Sequence, residues 1–233
     1  MGPHGQLERP SGPAERAGEV GRVGARWWSG YGKVRTLELA AGVDLRAVVL
    51  VEGRSDRAAL EALAARRGRD LAAEGVSVVP MGGATNIGHF LDRYGPRGLA
   101  LELAGLCDAA EEGYFRRGLE RAGLAADLSR AGTEALGFFV CVIDLEDELI
   151  RSLGAAAVEQ IVAAQGELGS FRTLQRQPAQ QGRGVEDQLR RFMGTRSGRK
   201  SHYARLLVDA LDLARVPRPL DGVLAHVAGG MPR

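Results

Sequence analysis

The sequence predicts an α/β protein whose four-stranded parallel sheet is flanked by helices, followed by a small C-terminal helical region. Two observations favour this fold class. Short runs of apolar, mostly β-branched residues alternate with alanine- and leucine-rich helical patterns. Several of these runs have no polar alternation, which is typical of strands buried on both faces of a parallel sheet. The 233 residues, 45% of them hydrophobic, can form one mid-sized domain with an appendage or two small domains.

The predicted strands lie at about 46–51, 76–80, 99–107 and 138–142. The first contains the apolar run Val48 to Val51, and the second ends at Pro80. An alanine- and leucine-rich helical pattern follows the first strand almost at once. A strand that is followed directly by a helix is the repeating unit of a parallel sheet, so we expect these four strands to lie side by side.

Composition divides the chain into three parts. Residues 1–45 are rich in Gly, Pro, Arg and Glu, which predicts a largely disordered tail with a short helix at about 36–41. Residues 46–155 form the predicted α/β domain, and 156–233 a helical, basic C-terminal region. The absence of a secretory leader, of a CxxC pair and of any apolar run of about 18 residues predicts a cytoplasmic protein without a membrane span.

Acidic residues follow three of the predicted strands. Glu52 comes directly after the first strand, Asp108 after the third and Asp144 after the fourth. Asp56 lies four residues after Glu52, in the first turn of the next helix, where its carboxylate can return toward the same loop. Ligands of open α/β sheets bind at the carboxyl ends of the strands. The pattern therefore predicts a carboxylate site for a hard divalent cation, Mg²⁺ or Mn²⁺.

Each acid also has an ordinary structural interpretation. Glu52 can be an exposed loop residue, and Asp56 can stabilise a helix N-terminus by complementing its dipole. The glycine pair at 82–83 can bring backbone amides near an anion or can simply form a turn, since its spacing fits no phosphate-binding loop. The recurrence of acids after three strands favours a shared site over three separate surface positions.

A basic segment extends from Arg172 to Arg205. It contains nine basic residues and two acids, and Phe171, Phe192 and Tyr203 are interleaved with them. Arginines beside an acidic metal site suit a phosphodiester substrate, because they neutralise the phosphates that flank the reacting one. The alternative is a solvated face in an arginine-rich protein. We expect Arg190, Arg191, Arg196 and Arg199 to line an approach for nucleic acid.

Three segments together resemble the Toprim domain, in the version found in OLD-family (overcoming lysogenization defect) nucleases. They are Leu50-Val51-Glu52-Gly53-x-Ser55-Asp56, then Asp144-Leu145-Glu146-x-Glu148-Leu149, then Gly198-Arg199-Lys200 ahead of a helix. The resemblance covers about residues 46–210. It implies a Rossmann-like domain that acts as a metal-dependent DNA endonuclease, with metal ligands and an assisting lysine carried by the matching positions Glu52, Asp56, Asp108, Asp144, Glu146 and Lys200.

Two departures from the family pattern are visible. Toprim domains usually carry Asp-x-Asp after the third strand, whereas this chain has Asp108-Ala109-Ala110-Glu111. Either one metal is held more weakly or Glu111 replaces the second aspartate. OLD nucleases also carry an ATPase domain, and this sequence has no Gly-x-x-x-x-Gly-Lys-Ser/Thr loop. We expect any ATPase partner to act in trans.

Two other functions are compatible with the same residues. A Toprim nucleotidyl transferase would use the same metals, but no nucleotide-binding module is evident. A catalytically weakened domain would bind nucleic acid or a protein partner without cleaving it. The sequence leaves the preferred DNA form and the oligomeric state open.

Overall fold

The computed structural model describes residues 44–126, 128–196 and 198–229. Residues 1–43 of the predicted tail, including its short helix at 36–41, lie outside the described residues. The predicted sheet is confirmed: β1 (Ala47–Val51), β2 (Val76–Pro80), β3 (Glu102–Cys107) and β4 (Phe138–Val140) form one parallel sheet in the order β2-β1-β3-β4. The third and fourth strands are shorter than predicted, because residues 99–101 and 141–142 lie in loops.

Strand β1 lies at the centre of the sheet. Its residue Ala47 pairs with Val76 of β2 on one side and with Glu102 of β3 on the other. All five side chains of β1 are fully buried. This position explains the unbroken apolar run, since a central parallel strand packs on both of its faces.

Ten helices of four or more residues accompany the strands in the described part of the chain. In chain order they are α1 (Arg54–Arg66), α2 (Ile87–Tyr94), α3 (Glu112–Arg121), α4 (Arg130–Ala135), α5 (Leu145–Leu153), α6 (Ala155–Ala164), α7 (Leu168–Gln175), α8 (Val185–Met193), α9 (Arg199–Ala210) and α10 (Arg218–His226). None of these helices combines the length and the hydropathy that a membrane crossing requires.

The helices cover both faces of the sheet. Val49 and Val51 belong to a core that also contains buried residues of α1, α9 and α10. Helices α2 and α3 pack together on the opposite face. There the ring of Phe115 meets that of Phe138 edge-on, with centroids 6.2 Å apart. Alternate residues of each strand therefore point into separate apolar layers.

The C-terminal helices pack directly on the α/β part of the chain. Helix α9 lies along α1, and α8 lies against α5. Arg66 joins α1 to the end of α9 by donating hydrogen bonds to the carbonyl oxygens of Val208 and Leu211, both at 2.7 Å. The predicted boundary after residue 155 falls at the start of α6, and the described residues on its two sides belong to one compact unit.

The close contact between β3 and β4 depends on a glycine. A Cβ atom on Gly105 would lie 2.5 Å from the ring of Phe138 and 3.1 Å from the carbonyl oxygen of Leu50. We expect Gly105→Ala to lower the free energy of unfolding by about 1–3 kcal/mol, because an overpacked core must shift its strands. Gly88→Ala is the matched control, since its added Cβ meets nothing within 4 Å. It should be neutral or stabilising by up to about 1 kcal/mol. Equal urea denaturation midpoints for the two variants would contradict this packing.

Candidate metal centre and its basic surroundings

The three strand-end acids lie at the same edge of the sheet. Strands β1, β3 and β4 are parallel neighbours, so Glu52, Asp108 and Asp144 follow strands that all end on one side. The backbone N–H of Asp108 donates a hydrogen bond to Oε1 of Glu52 at 3.1 Å. This contact joins the loops after β1 and β3, as the sequence pattern predicts.

Asp56 returns toward the β1 loop from the first turn of α1. Its Oδ2 accepts a hydrogen bond from the backbone N–H of Gly53 at 2.8 Å, which closes the turn between strand and helix. The side chain is only 8% exposed. The helix-capping role and the place near the site therefore belong to the same carboxylate, and the two interpretations of Asp56 do not exclude each other.

The glycine pair at 82–83 supports Glu52 from behind. The N–H groups of Gly82 and Gly83 both donate to the backbone carbonyl oxygen of Glu52, at 3.0 and 3.2 Å. Gly83 has a φ of +125°, a conformation that other residues rarely adopt. The pair is thus a turn that holds the backbone of Glu52, and its amides are committed to that carbonyl instead of an anion.

Asp144 begins helix α5. Its Oδ1 accepts from the N–H of Asp147 at 2.9 Å, and its Oδ2 accepts from Nη1 of Arg190 at 3.2 Å. Both carboxylate oxygens therefore already have partners. Asp144 lies at the rim of the site, where it connects α5 to the basic helix α8.

Glu148 fixes the loop between β4 and α5, a role that the sequence analysis did not assign. This buried carboxylate accepts a hydrogen bond from the N–H of Val142 at 2.7 Å and pairs with Arg151 at 2.9 Å. The available signal was its position two residues beyond Glu146, in the segment Asp144-Leu145-Glu146-x-Glu148.

Glu146 and Lys200 form an ion pair at the acidic edge. The ammonium of Lys200 lies 3.0 Å from Oε2 of Glu146. Glu146 is 2% exposed, and its other oxygen, Oε1, has no hydrogen-bond partner among the described residues. Lys200 thus projects toward the acidic edge, and a buried carboxylate oxygen there is left without a donor.

The acids perturb one another electrostatically. Burial, together with the charges of Glu146 and Glu52, raises the pKa of Asp56 to about 7. Burial and the charge of Glu52 raise the pKa of Asp108 to about 8, and burial also raises the pKa of Glu52. Although desolvation lowers the pKa of Lys200, its attraction to Glu146 outweighs this effect and holds the pKa above its usual value. A nearby cation stabilises the ionised form of carboxyl groups whose pKa values are raised.

The chemistry of the candidate ligands fits a hard divalent cation, although these side chains are not arranged as a closed cage. All the candidate ligands are carboxylate oxygens, and Oε1 of Glu146 is an unpartnered buried acceptor. No three Asp, Glu, His or Cys side chains in the described ranges already stand together as a closed metal cage. The described carboxylates therefore lie farther apart than a closed metal cage requires. The physical reason is that like charges separate and take other partners, here Asp108 N–H, Gly53 N–H, Arg190 and Lys200.

The predicted basic residues do not share one environment. Arg190 pairs with Asp144, at the rim of the site, and Arg191 is exposed. Arg196 is exposed and lies 3.9 Å from Glu167. Arg199 is only 7% exposed and is held by Glu167, Thr195 and the carbonyl oxygen of Phe192. Because its guanidinium is buried and bonded within the protein, Arg199 does not line the approach to the acids, contrary to the prediction.

Comparison with known proteins agrees with this architecture. Residues 45–109 match the family model described as "Overcoming lysogenization defect protein-like, TOPRIM domain". No curated protein matches the sequence. The C-terminal region of the Xanthomonas campestris pv. campestris OLD protein is 24% identical, with 78% of this chain and 94% of that chain covered and a TM-score of 0.58. The C-terminal region of the Burkholderia pseudomallei OLD protein is 20% identical, with coverages of 78% and 97% and a TM-score of 0.60.

The match to the family model contains Glu52, Asp56 and Asp108, three of the acids at the sheet edge. The structural similarity extends over most of the chain, but at these identities it shows the fold alone. Residues 45–109 therefore match the OLD-like Toprim family, and the chain has the α/β Toprim fold seen in the C-terminal regions of OLD proteins.

Proposed function

We propose that this protein is a divalent-metal-dependent endonuclease that hydrolyses DNA phosphodiester bonds, with Mg²⁺ or Mn²⁺ as cofactor. The observation that carries the proposal is the ion pair between the buried Glu146 and the partly exposed Lys200, beside carboxylates from three parallel strand ends. The fold and the match to the OLD-like Toprim family support the same activity. A protein with this function would act on DNA in the cytoplasm, and any ATPase partner would act in trans.

The metal ligands would come from the acidic edge. They are Glu52, Asp56, Asp108, Asp144 and Glu146, with Glu111 as a further candidate. When bound, the cations supply Lewis-acid stabilisation of the reacting phosphate and lower the pKa of a water molecule. Glu52 also has a positioning role, because its carboxylate joins the loops after β1 and β3.

Lys200 and the arginines would hold the substrate. Lys200 places a single positive charge at the acidic edge, where negative charge develops on the phosphate in the transition state. Arg190, Arg191 and Arg196 would neutralise flanking phosphates and so attract a polyanion that the acids alone would repel. Glu52 and Lys200 are therefore the proposed catalytic residues.

A metal-titrated cleavage assay tests the proposal directly. Supercoiled, linear and single-stranded DNA are incubated with the protein and increasing Mg²⁺ or Mn²⁺, with a chelator-treated sample as control. Cleavage that rises with the metal and disappears with the chelator is expected. The absence of cleavage of every DNA form at millimolar Mg²⁺ and Mn²⁺ would contradict the proposed activity.

Glu111 offers a test of how the missing second aspartate is replaced. Its charge helps to raise the pKa of Glu52, which indicates that the two carboxylates are near each other. We expect Glu111→Gln to weaken Mn²⁺ binding about 10-fold, since one charged ligand is lost. The neighbouring Glu112 pairs with Arg130 and is the matched control. Calorimetric titrations that give the same affinity for Glu111→Gln and Glu112→Gln would remove Glu111 from the site.

One observation favours a second candidate function. The position two residues after Asp108 is Ala110, and the acids form no closed cage among the described residues. A domain with a weakened metal site would bind DNA or a protein partner without cleaving it. DNA binding that persists while all divalent cations fail to promote cleavage would favour this module over the nuclease. Incorporation of labelled nucleotides would instead indicate a nucleotidyl transferase.

A further inference from the structure

A shallow cleft of about 220 Å³ lies on α7, at the connection between α8 and α9. It shares no lining residue with the acidic edge. Its lining combines an apolar floor with hydroxyl, amide and guanidinium groups, contributed by Ser170, Thr173, Leu174, Gln177, Phe192, Thr195, Arg196 and Arg199. We refer to this feature as the α7–α9 cleft. Hydrogen-bond donors around a small concave surface are suited to an anion.

Arg199 forms the rigid part of the cleft. Its guanidinium lies 4.2 Å from the centroid of the Phe192 ring and donates a hydrogen bond to Glu167 at 2.7 Å. Glu167 also accepts from the hydroxyl of Tyr203 at 2.8 Å. Although burial acts to raise the pKa of Glu167, these hydrogen bonds outweigh it and hold the pKa below its usual value. The carboxylate of Glu167 is therefore ionised, and its oxygens already accept hydrogen bonds.

Arg196 is the residue of the cleft whose positive charge a ligand can reach from solvent. Its side chain is 68% exposed, and its pairing with Glu167 is long, at 3.9 Å. A second exposed guanidinium, that of Arg176, donates to Oγ1 of Thr173 in the cleft lining at 3.3 Å. Glu167 pairs with Arg199 and, at longer range, with Arg196, and Arg176 adds a further positive charge beside Thr173, so the cleft carries a net positive charge. Such an exposed excess is worth little to folding but attracts a phosphate.

The first turn of α9 connects the cleft to the proposed active site. Arg199 points to the cleft, while the adjacent residue Lys200 reaches Glu146. Consecutive Cα atoms are about 3.8 Å apart. The two side chains leave the same turn of α9 in different directions, so a nucleic-acid strand bound at Lys200 would pass across this turn to place a flanking phosphate at the cleft.

We propose that the α7–α9 cleft binds a backbone phosphate of the DNA strand that flanks the cleaved position. The inference rests on the proposed nuclease function and adds a second contact, outside the metal centre, that fixes the register of the strand. Arg196 supplies the charge, and the hydroxyls of Ser170, Thr173 and Thr195 supply neutral donors. Contacts of this kind position a nucleic acid without reading its sequence.

The test measures DNA affinity against salt concentration. Arg196→Ala is compared with Arg205→Ala, an exposed arginine of α9 that has no ion pair among the described residues. Both are made in a Glu52→Gln background with Mg²⁺ present, so that the DNA stays intact. We expect Arg196→Ala to reduce the slope of log K against log salt by about one, because one phosphate contact is lost. Arg205→Ala should leave the slope unchanged.

Ser170→Glu provides a second variant that keeps Arg196. It places a negative charge in the cleft and should weaken DNA binding about 10-fold or more, whereas Ala164→Glu, an exposed position on α6, should not. Equal salt slopes for the two arginine variants, or equal affinities for the two glutamate variants, would overturn the inference.

The outcomes separate this inference from the proposed activity. Metal-dependent cleavage with no effect at the cleft would overturn the cleft alone. A changed salt slope in a protein that cleaves no DNA would overturn the nuclease and retain the cleft as a DNA-binding surface. Saturable calorimetric binding of deoxynucleoside monophosphate that is lost in Arg196→Ala, with an unchanged DNA salt slope, would make the cleft a mononucleotide site and overturn the DNA assignment.

Discussion

Glu52→Gln is expected to reduce metal-dependent DNA cleavage by a factor on the order of 10³, equivalent to about 4 kcal/mol of barrier. The substitution removes the charge that a divalent cation requires. It retains an oxygen that can accept the hydrogen bond from the N–H of Asp108, which lies 3.1 Å from Oε1. The loops after β1 and β3 should therefore stay joined. The loss of activity should then come from the cleavage step and not from a change in the fold. Single-turnover cleavage and Mn²⁺ titration calorimetry measure the two effects.

The matched control for this prediction is Glu61→Gln on the neighbouring helix. Glu61 is paired at the surface with Arg57 at 2.7 Å and lies in the middle of α1. The Glu61→Gln protein should cleave DNA at the rate of the unaltered protein. A Glu52→Gln protein that is folded, as judged by its melting temperature, and still cleaves within threefold of the normal rate would exclude Glu52 from catalysis.

Lys200→Met is expected to slow single-turnover cleavage about 10²-fold while DNA affinity changes less than about twofold. The ammonium is a point charge at the acidic edge, where its contribution grows as the phosphate gains charge in the transition state. Methionine keeps the apolar stem of the side chain, which lies against Gly194. The same substitution removes the partner of Glu146 Oε2, so Mn²⁺ should bind at least as tightly as before.

Arg191→Ala should have the opposite effect to Lys200→Met. Arg191 is an exposed residue of α8, and its loss should lower the DNA affinity more than the cleavage rate. The DNA affinity of the Arg191→Ala protein should fall with added salt less steeply than that of the unaltered protein. If Lys200→Met lost binding and rate in equal proportion, Lys200 would be a substrate-binding residue only. If high Mn²⁺ restored its rate fully, the lysine would serve merely to neutralise Glu146.

The sheet could be predicted from the sequence because its strands are short and nearly all apolar. The residues of β1 have no polar alternation, and this pattern fits only a strand that is covered on both faces. The ends of β3 and β4 were less well predicted. Leu99 and Val142 are apolar but exposed, and they lie in loops that local propensity cannot distinguish from a strand.

The location of the candidate site could be predicted from the sequence, whereas the side-chain contacts within and around it could be predicted only in part. The acids after β1, β3 and β4 were assigned to one edge because parallel strands end together. The burial of Arg199 was not predictable, since its sequence neighbours, Arg196 and Lys200, have the same charge but exposed side chains. The face of α9 that turns inward depends on how this helix packs against its neighbours, α1 among them. The pattern of charges in the basic segment does not predict that packing.

The fold class, the burial of β1 on both faces and the acids at one sheet edge follow from the sequence alone. They do so because strand burial and chain direction leave a repeating pattern in the order of the residues. The tertiary structure alone shows that Glu146 is the acid that pairs with Lys200, that Glu148 fixes the β4 loop and that Arg199 supports a cleft of its own. Those contacts join residues up to 54 positions apart. Their partners are chosen by the packing of α8 and α9 on the sheet's helices, a long-range outcome that neither spacing nor composition encodes.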